Sequence, residues 1–208
     1  MKIINCEQGS PEWMEARLGI PTASQFDRIM TPKTLKPSAQ ASGYRAELVA
    51  EWLLGHPLDW GTNAYMERGM ELEEEAKRYY AFQTGQEVET VGLVLRDDGL
   101  VGGSPDGLVG MHGLVEIKCP LAVQHVRYML GEEPDYIGQV QGYLYLTGRR
   151  WCDVLSYHPD LPPVIQRVER DEDYIAALLP ILEEFVVRIE ADKLQLAKYR
   201  LEPIWHLN

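Results

Sequence analysis

The sequence predicts an α/β (α+β) domain, a mixed central β-sheet flanked by helices. Three observations predict it. Apolar residues recur at helical spacing through about the first 85 residues. Between about 86 and 170 they give way to short β-rich runs separated by turn residues. A long amphipathic stretch then closes the chain. The length of 208 residues fits a single domain, 1–208, made of these three parts.

Each element has its own signal. Thr22-Ala-Ser24 precedes Phe26, Ile29 and Met30, an N-cap followed by helical spacing. Residues 31–42, TPKTLKPSAQAS, carry two prolines and several small polar residues and read as a mobile loop between helices. Tyr44, Leu48, Trp52 and Leu53 mark a second helix, stopped at Gly55. A third runs from about Ala64 to Thr84, stopped at Gly85. Val88–Leu95 reads as a strand, and Asp97-Asp98-Gly99 as the turn after it. Leu100–Val109 and Leu114–Cys119 read as two further strands. Pro134 opens a helix through Ile137, Val140 and Leu144 that stops near Gly148. Trp151–Tyr157 and Val164–Val168 read as strands of the same sheet, and Tyr174 to about Tyr199 as the closing helix.

Composition narrows the function classes. No apolar run approaches the roughly 20 residues that span a bilayer, so no membrane partner is expected. The first residues, MKIINCEQGSPEW, lack the apolar segment of a signal peptide, and a cytoplasmic location is expected. Cys6, Cys119 and Cys152 are too few and too scattered for a disulfide framework, a structural zinc or an iron–sulfur cluster. The net charge of −12 opposes a polyanionic partner for the particle as a whole. Binding depends on the local patch, however, and carboxylates that hold divalent cations invert the local field.

One constellation carries chemistry. In a strand Leu114–Cys119, Glu116 and Lys118 share one face, while Val115, Ile117 and Cys119 take the other. An ion pair on an exposed face is the simpler alternative. Asp106, flanked by Pro105 and Gly107, belongs at a turn or strand break. A tight turn at Gly110–Gly113 would pair the two strands antiparallel and bring Asp106 toward Glu116. Two converging carboxylates repel unless a cation lies between them, and oxygen donors suit Mg²⁺ or Mn²⁺. Lys118 beside such a cation can hold a phosphate and orient an attacking water. Among the acidic residues of helix 64–84, Glu73 shares the arc of Met66, Gly69, Met70, Ala76 and Tyr80 and should point inward. There either a cation-held water or a basic partner must offset its charge. The histidines are scattered and do not fit a catalytic group; His125, just after the Glu116–Lys118 strand, is the one that could face a ligand.

These segments together resemble the PD-(D/E)XK nuclease superfamily and, more narrowly, the lambda exonuclease family of YqaJ-like phage recombinases. The resemblance rests on Trp13…Arg17-Leu-Gly19, Thr22-Ala-Ser24, Gly69…Glu73, Ser104-Pro-Asp-Gly107, Glu116-Ile-Lys-Cys-Pro120, Gln139-Val-Gln141 and Val168-Glu-Arg-Asp171, in this order. It implies a restriction-endonuclease-like core in which Asp106, Glu116 and the backbone carbonyl of Ile117 bind Mg²⁺ and Lys118 activates water. It further implies that Glu73 completes the site and that Gln139 lies beside it. Arg17, Thr22 and Ser24 match a pocket for a 5′-phosphate, a role for which a helix N-terminus and a guanidinium are suited. Met66 stands where the family has an apolar residue that wedges apart the terminal base pair. The implied activity is Mg²⁺-dependent 5′→3′ digestion of one strand of double-stranded DNA to 5′-mononucleotides, leaving a 3′ single strand for recombination by strand annealing. The implied setting is a phage- or prophage-encoded protein in a bacterial cell, a homotrimeric ring with a single-strand annealing protein as partner. A catalytically silent DNA-end binder and a non-processive repair or defence nuclease are the alternatives on this scaffold. One departure stands out: the family's groove-inserting arginine falls near Thr34, with Lys33 and Lys36 the nearest basic residues.

Overall fold

The computed structural model describes residues 1–58 and 64–201, without the side chains of 64–67, 69 and 70. The side chains of Met66, the predicted wedge, and of Met70 in the predicted inward arc therefore lie outside what is described. The elements follow the order β1 (Lys2–Ile4), α1 (Pro11–Arg17), a 3-10 helix (Ala23–Arg28), β2 (Met30–Thr31), β3 (Lys36–Pro37), α2 (Ala41–Leu54) and α3 (Ala64–Thr84). Then come β4 (Val88–Glu89), β5 (Leu93–Leu95), β6 (Gly102–Gly103), β7 (Gly107–Val109), β8 (Gly113–Lys118), α4 (Ala122–Met129) and α5 (Ile137–Thr147). Strands β9 (Trp151–His158) and β10 (Leu161–Glu169), helix α6 (Glu172–Leu196) and a last 3-10 turn (Ala197–Tyr199) complete the described chain. No helix among the described residues is long and apolar enough to cross a membrane.

The central sheet has the order β10-β9-β8-β7-β4. It is mixed: β8 and β9 run parallel, joined by a crossover through α4 and α5, and the other pairs are antiparallel. The predicted fold class is thus the observed one. A smaller sheet has the order β1-β5-β6.

Strand alternation divides the core between the two faces of the central sheet. Leu114, Cys152 and Val154 join α5, α6 and the N-terminal helices through Phe26, Tyr44, Leu144, Leu178 and Phe185. Val115, Ile117 and Leu155 meet Ala76 and Tyr80 of α3 on the other face. Helix α5 packs closely on the 3-10 helix because Gly142 has no side chain: a Cβ there would stand 2.7 Å from the Phe26 ring. Asp171 caps α6 by accepting from the Tyr174 N–H at 2.9 Å.

Several expected elements are corrected. The run Val88–Leu95 splits into β4 and β5, which join different sheets. Leu100–Val109 likewise splits into β6 and β7, with Asp106 at the break between them. Most of the 31–42 segment forms, with Met30, a two-stranded hairpin, Met30 facing Pro37 and Thr31 facing Lys36, and its last two residues open α2. The helix expected after Ser24 is a single 3-10 stretch capped by the Thr22 backbone alone, so Ser24 is an exposed residue inside it and no N-cap. Helices α1 and α4, seven and eight residues long, are not among the expected elements.

Candidate active site

The site begins with the alternation in β8. Gly107 pairs with Val115 and Val109 with Gly113, so β7 and β8 form the antiparallel hairpin expected from the Gly110–Gly113 turn. Glu116 and Lys118 emerge on the α5 side of the sheet. Glu116 is only 2% exposed, and Lys118 Nζ lies 2.7 Å from its Oε1. The ammonium also sits over the Tyr136 ring, 4.4 Å from its centre. This is an ion pair, as the simpler sequence reading allowed, but a buried one.

Asp106 reaches the same place from the turn after β6. Its Oδ2 accepts the Ile117 N–H at 2.6 Å. In an extended strand the N–H and C=O of one residue face the same edge. The Ile117 carbonyl therefore faces the edge occupied by Asp106, beyond the last β7 pair. Burial holds the Asp106 carboxyl well above the usual carboxylate range, and the neighbouring Glu116 charge pushes it further. Burial also raises Glu116, although Lys118 pulls it back. Burial works against the Lys118 charge, yet Glu116 and Asp106 outweigh it and raise the ammonium above its ordinary range.

The hydrogen-bond inventory tests whether a divalent cation fits. Glu116 Oε1 receives Lys118 and the Gln139 amide, the latter at 2.7 Å. Glu116 Oε2 is buried and has no partner among the described residues. A buried, unpaired carboxylate oxygen costs free energy that a cation would recover. Two carboxylates and one carbonyl are hard oxygen donors of the type Mg²⁺ takes, with its remaining positions left to water and phosphate. The residues present fit that ion. Among the described residues no three acidic, histidine or cysteine side chains converge, so the donor set is these two carboxylates with a backbone oxygen.

Glu73 differs from expectation. Its helical phase matches Ala76 and Tyr80, but those residues pack on the Val115–Ile117 face, opposite Glu116. Glu73 stands at the rim, with its side chain 39% exposed and Lys77 at 3.5 Å. It acts on Asp106 and Glu116 through its charge alone, raising both. His125 does not face a ligand: it is fully buried, bonded to Ser156 Oγ at 2.7 Å and to the Pro162 carbonyl at 3.0 Å. Lys33 and Lys36 are exposed on the hairpin.

Three N-terminal residues, Arg17, Thr22 and Ser24, converge. Arg17 donates to Thr22 Oγ1 at 3.3 Å, and Thr22 Oγ1 meets Ser24 Oγ at 3.3 Å. The guanidinium stacks 4.1 Å above the Trp13 ring and makes no ion pair among the described residues. Burial lowers its proton affinity, an arrangement that favours an anionic ligand. Arg17, Thr22, Ser24, Asp106, Glu116 and Gln139 line one cavity of about 180 Å³.

Four further residues line that cavity: Gln8, Trp13, Ser104 and Tyr143. Gln8, Trp13 and Tyr143 hold the turn that carries Ser104 and Asp106. Gln8 Nε2 donates to the Pro105 carbonyl at 3.1 Å, the Trp13 indole N–H to Ser104 Oγ at 2.8 Å, and the Tyr143 hydroxyl to the Ser104 carbonyl at 3.1 Å. Spacing along the chain could have found only Tyr143, one helical turn after Gln139.

Residues 12–150 match the model of the YqaJ-like viral recombinase domain. The chain is similar to the alkaline exonuclease LHK-Exo from Laribacter hongkongensis, with 38% identity and a TM-score of 0.82 over 91% of this chain and 97% of that one. LHK-Exo in complex with dAMP matches at 38% identity and a TM-score of 0.81, over 91% of this chain and 99% of that one. A phage-related exonuclease from Haemophilus somnus 129PT shares the fold, with a TM-score of 0.69 at 16% identity over 86% of this chain and 96% of that one. No curated protein matches the sequence.

Proposed function

The chain belongs to the YqaJ-like viral recombinase family, and from that premise we propose that it is a Mg²⁺-dependent 5′→3′ exonuclease of double-stranded DNA. The similarity to LHK-Exo supports the coarser statement, a nuclease hydrolysing phosphodiester bonds. The observation that carries the finer reading is that one cavity is lined both by Arg17, Thr22 and Ser24 and by Asp106 and Glu116. An anion pocket beside a carboxylate pair suits a strand end better than the middle of a strand. The dAMP complex of LHK-Exo is consistent with a mononucleotide product.

The chain's own groups divide the work. Asp106, Glu116 and the Ile117 carbonyl would hold Mg²⁺, with Mn²⁺ as a substitute. When bound, the ion supplies Lewis acidity at the scissile phosphate and makes water more acidic. Arg17, Thr22 and Ser24 anchor the terminal 5′-phosphate and so set the next phosphodiester over the carboxylates. Lys118 stays protonated while both carboxylates are ionised, and as a cation it holds the reacting phosphate and stabilises charge that builds there. Its amine becomes a proton acceptor for the attacking water only when the carboxylate charge is offset. Gln139 fixes Glu116 through its amide, and Glu73 adds negative charge at the rim.

The wider role follows as part of the same proposal. A 3′ strand left by such digestion is a substrate for a single-strand annealing protein, and a homotrimeric ring would keep an enzyme of net charge −12 on its DNA. Residence in the bacterial cytoplasm suits that role. Digestion of linear duplex labelled at the 5′ or the 3′ end, in Mg²⁺ and in EDTA, tests the reading. Labelled mononucleotide should leave the 5′ label first and only with Mg²⁺. First release from the 3′ label would sink the assigned direction.

A further inference from the structure

The Gln139 amide stands between the two halves of the site. Its Nε2 donates to Glu116 Oε1 at 2.7 Å and to the Tyr143 hydroxyl at 2.7 Å. Its Oε1 accepts from Lys118 Nζ at 3.4 Å. An amide turned by 180° would set its oxygen against the Glu116 carboxylate and its N–H groups against the Lys118 ammonium, a repulsive arrangement on both sides. Glu116 and Lys118 themselves favour the observed direction, but either can move if the site loosens.

A second constraint comes from the opposite side. The Ser104 carbonyl can only accept, and it takes the Tyr143 proton at 3.1 Å. The Tyr143 oxygen is left as an acceptor toward Gln139, which must therefore present N–H. The Tyr143 ring has little freedom: a Cβ on Gly103 would stand 2.9 Å from two of its carbons. Direction thus passes from a backbone carbonyl to a hydroxyl, to an amide, and on to Glu116 and Lys118. The same hydroxyl touches the turn that carries Asp106.

We propose that Tyr143 is a positioning residue of this site: its hydroxyl sets the direction of the Gln139 amide and ties the Ser104–Asp106 turn to the Glu116–Lys118 strand. The inference rests on the nuclease reading above. The Tyr143 hydroxyl is held neutral by burial and by the Glu116 and Asp106 charges, as a donor to Ser104 requires.

Tyr143→Phe keeps the ring and removes the hydroxyl. Its kcat and KM on 5′-phosphorylated linear duplex with Mg²⁺ should be measured beside Gln139→Leu, the double variant and Lys118→Ala. The expected result is a roughly ten- to hundredfold fall in kcat, with KM little changed. The double variant should lose far less than the product of the two single losses, because Tyr143 acts in large part through Gln139. In ¹⁵N-labelled protein, the Gln139 side-chain amide should be protected from exchange in the wild type and lose that protection in Tyr143→Phe. Wild-type kcat in Tyr143→Phe, losses that multiply in the double variant, or an unchanged Gln139 amide would each overturn the proposal. Full activity in Lys118→Ala would instead overturn the nuclease reading, and the amide measurement would still decide on Tyr143. Should Tyr143→Phe not fold, an unprotected Gln139 amide in the wild type overturns the proposal by itself.

Discussion

Lys118 Nζ lies 2.7 Å from Glu116 Oε1, two residues back along the same strand. A pleated strand puts such residues on one face, but only burial turns their adjacency into chemistry. The ammonium stabilises a carboxylate that would otherwise shed its charge, and it leaves Glu116 Oε2 without a partner among the described residues.

Lys118→Ala removes that cation from the reacting phosphate. Hydrolysis should fall by roughly two to three orders of magnitude, while DNA-end binding persists because the Arg17 pocket is intact. Parallel kinetics and fluorescence-anisotropy titrations check both halves. Unchanged turnover would rule out a role for Lys118 in the reaction.

Arg17→Ala removes a guanidinium that no carboxylate pairs among the described residues. The preference for 5′-phosphorylated over 5′-hydroxyl ends should drop roughly tenfold or more, the size of a charge-assisted hydrogen bond. Rates on the two kinds of end, compared in wild type and variant, give the answer. If the wild type already cut both equally, the pocket would have another role.

Stability without divalent cations should depend on pH through Asp106 and Glu116. Both are raised in the folded protein above their ordinary values of 3.8 and 4.5. Their contribution to stability is therefore intact below those values and is lost as pH rises through the raised ones. In EDTA the melting temperature should fall with rising pH across that range, and Mg²⁺ should restore most of the loss. Asp106→Asn should flatten the profile. A metal-free profile that rises with pH and is insensitive to Asp106→Asn would contradict the assignment.

Gly142→Ala should destabilise the fold, since the new methyl would meet both the Phe26 ring and Ala23 Cβ, the latter at 2.9 Å. Overpacking of this kind costs about 1–3 kcal/mol. Urea denaturation measures it, and a variant as stable as wild type would mean that α5 shifts freely on the 3-10 helix.

Much of the site was legible because its parts are close in sequence. Glu116, Lys118 and Asp106 lie on one hairpin, where period-two alternation and turn residues are strong signals. Glu73 shows the limit of such reasoning. Its helical phase is right, yet phase does not say where the covered face of a helix ends, and Glu73 falls at the rim beside Lys77. The split of Val88–Leu95 between two sheets was hidden for a related reason: strand patterns record alternation and carry no record of the partner.

The sequence by itself determined the mixed α/β class, the face shared by Glu116 and Lys118, and the turn that presents Asp106, since these follow from local spacing and backbone preference. Only the tertiary structure decided that Trp13 holds Ser104 across 91 residues of chain, that Arg17 opens into the cavity of Asp106, and that Tyr143 joins two separate segments. Such relations depend on which elements pack together, and packing selects partners by shape and burial over the whole core, which no local pattern records.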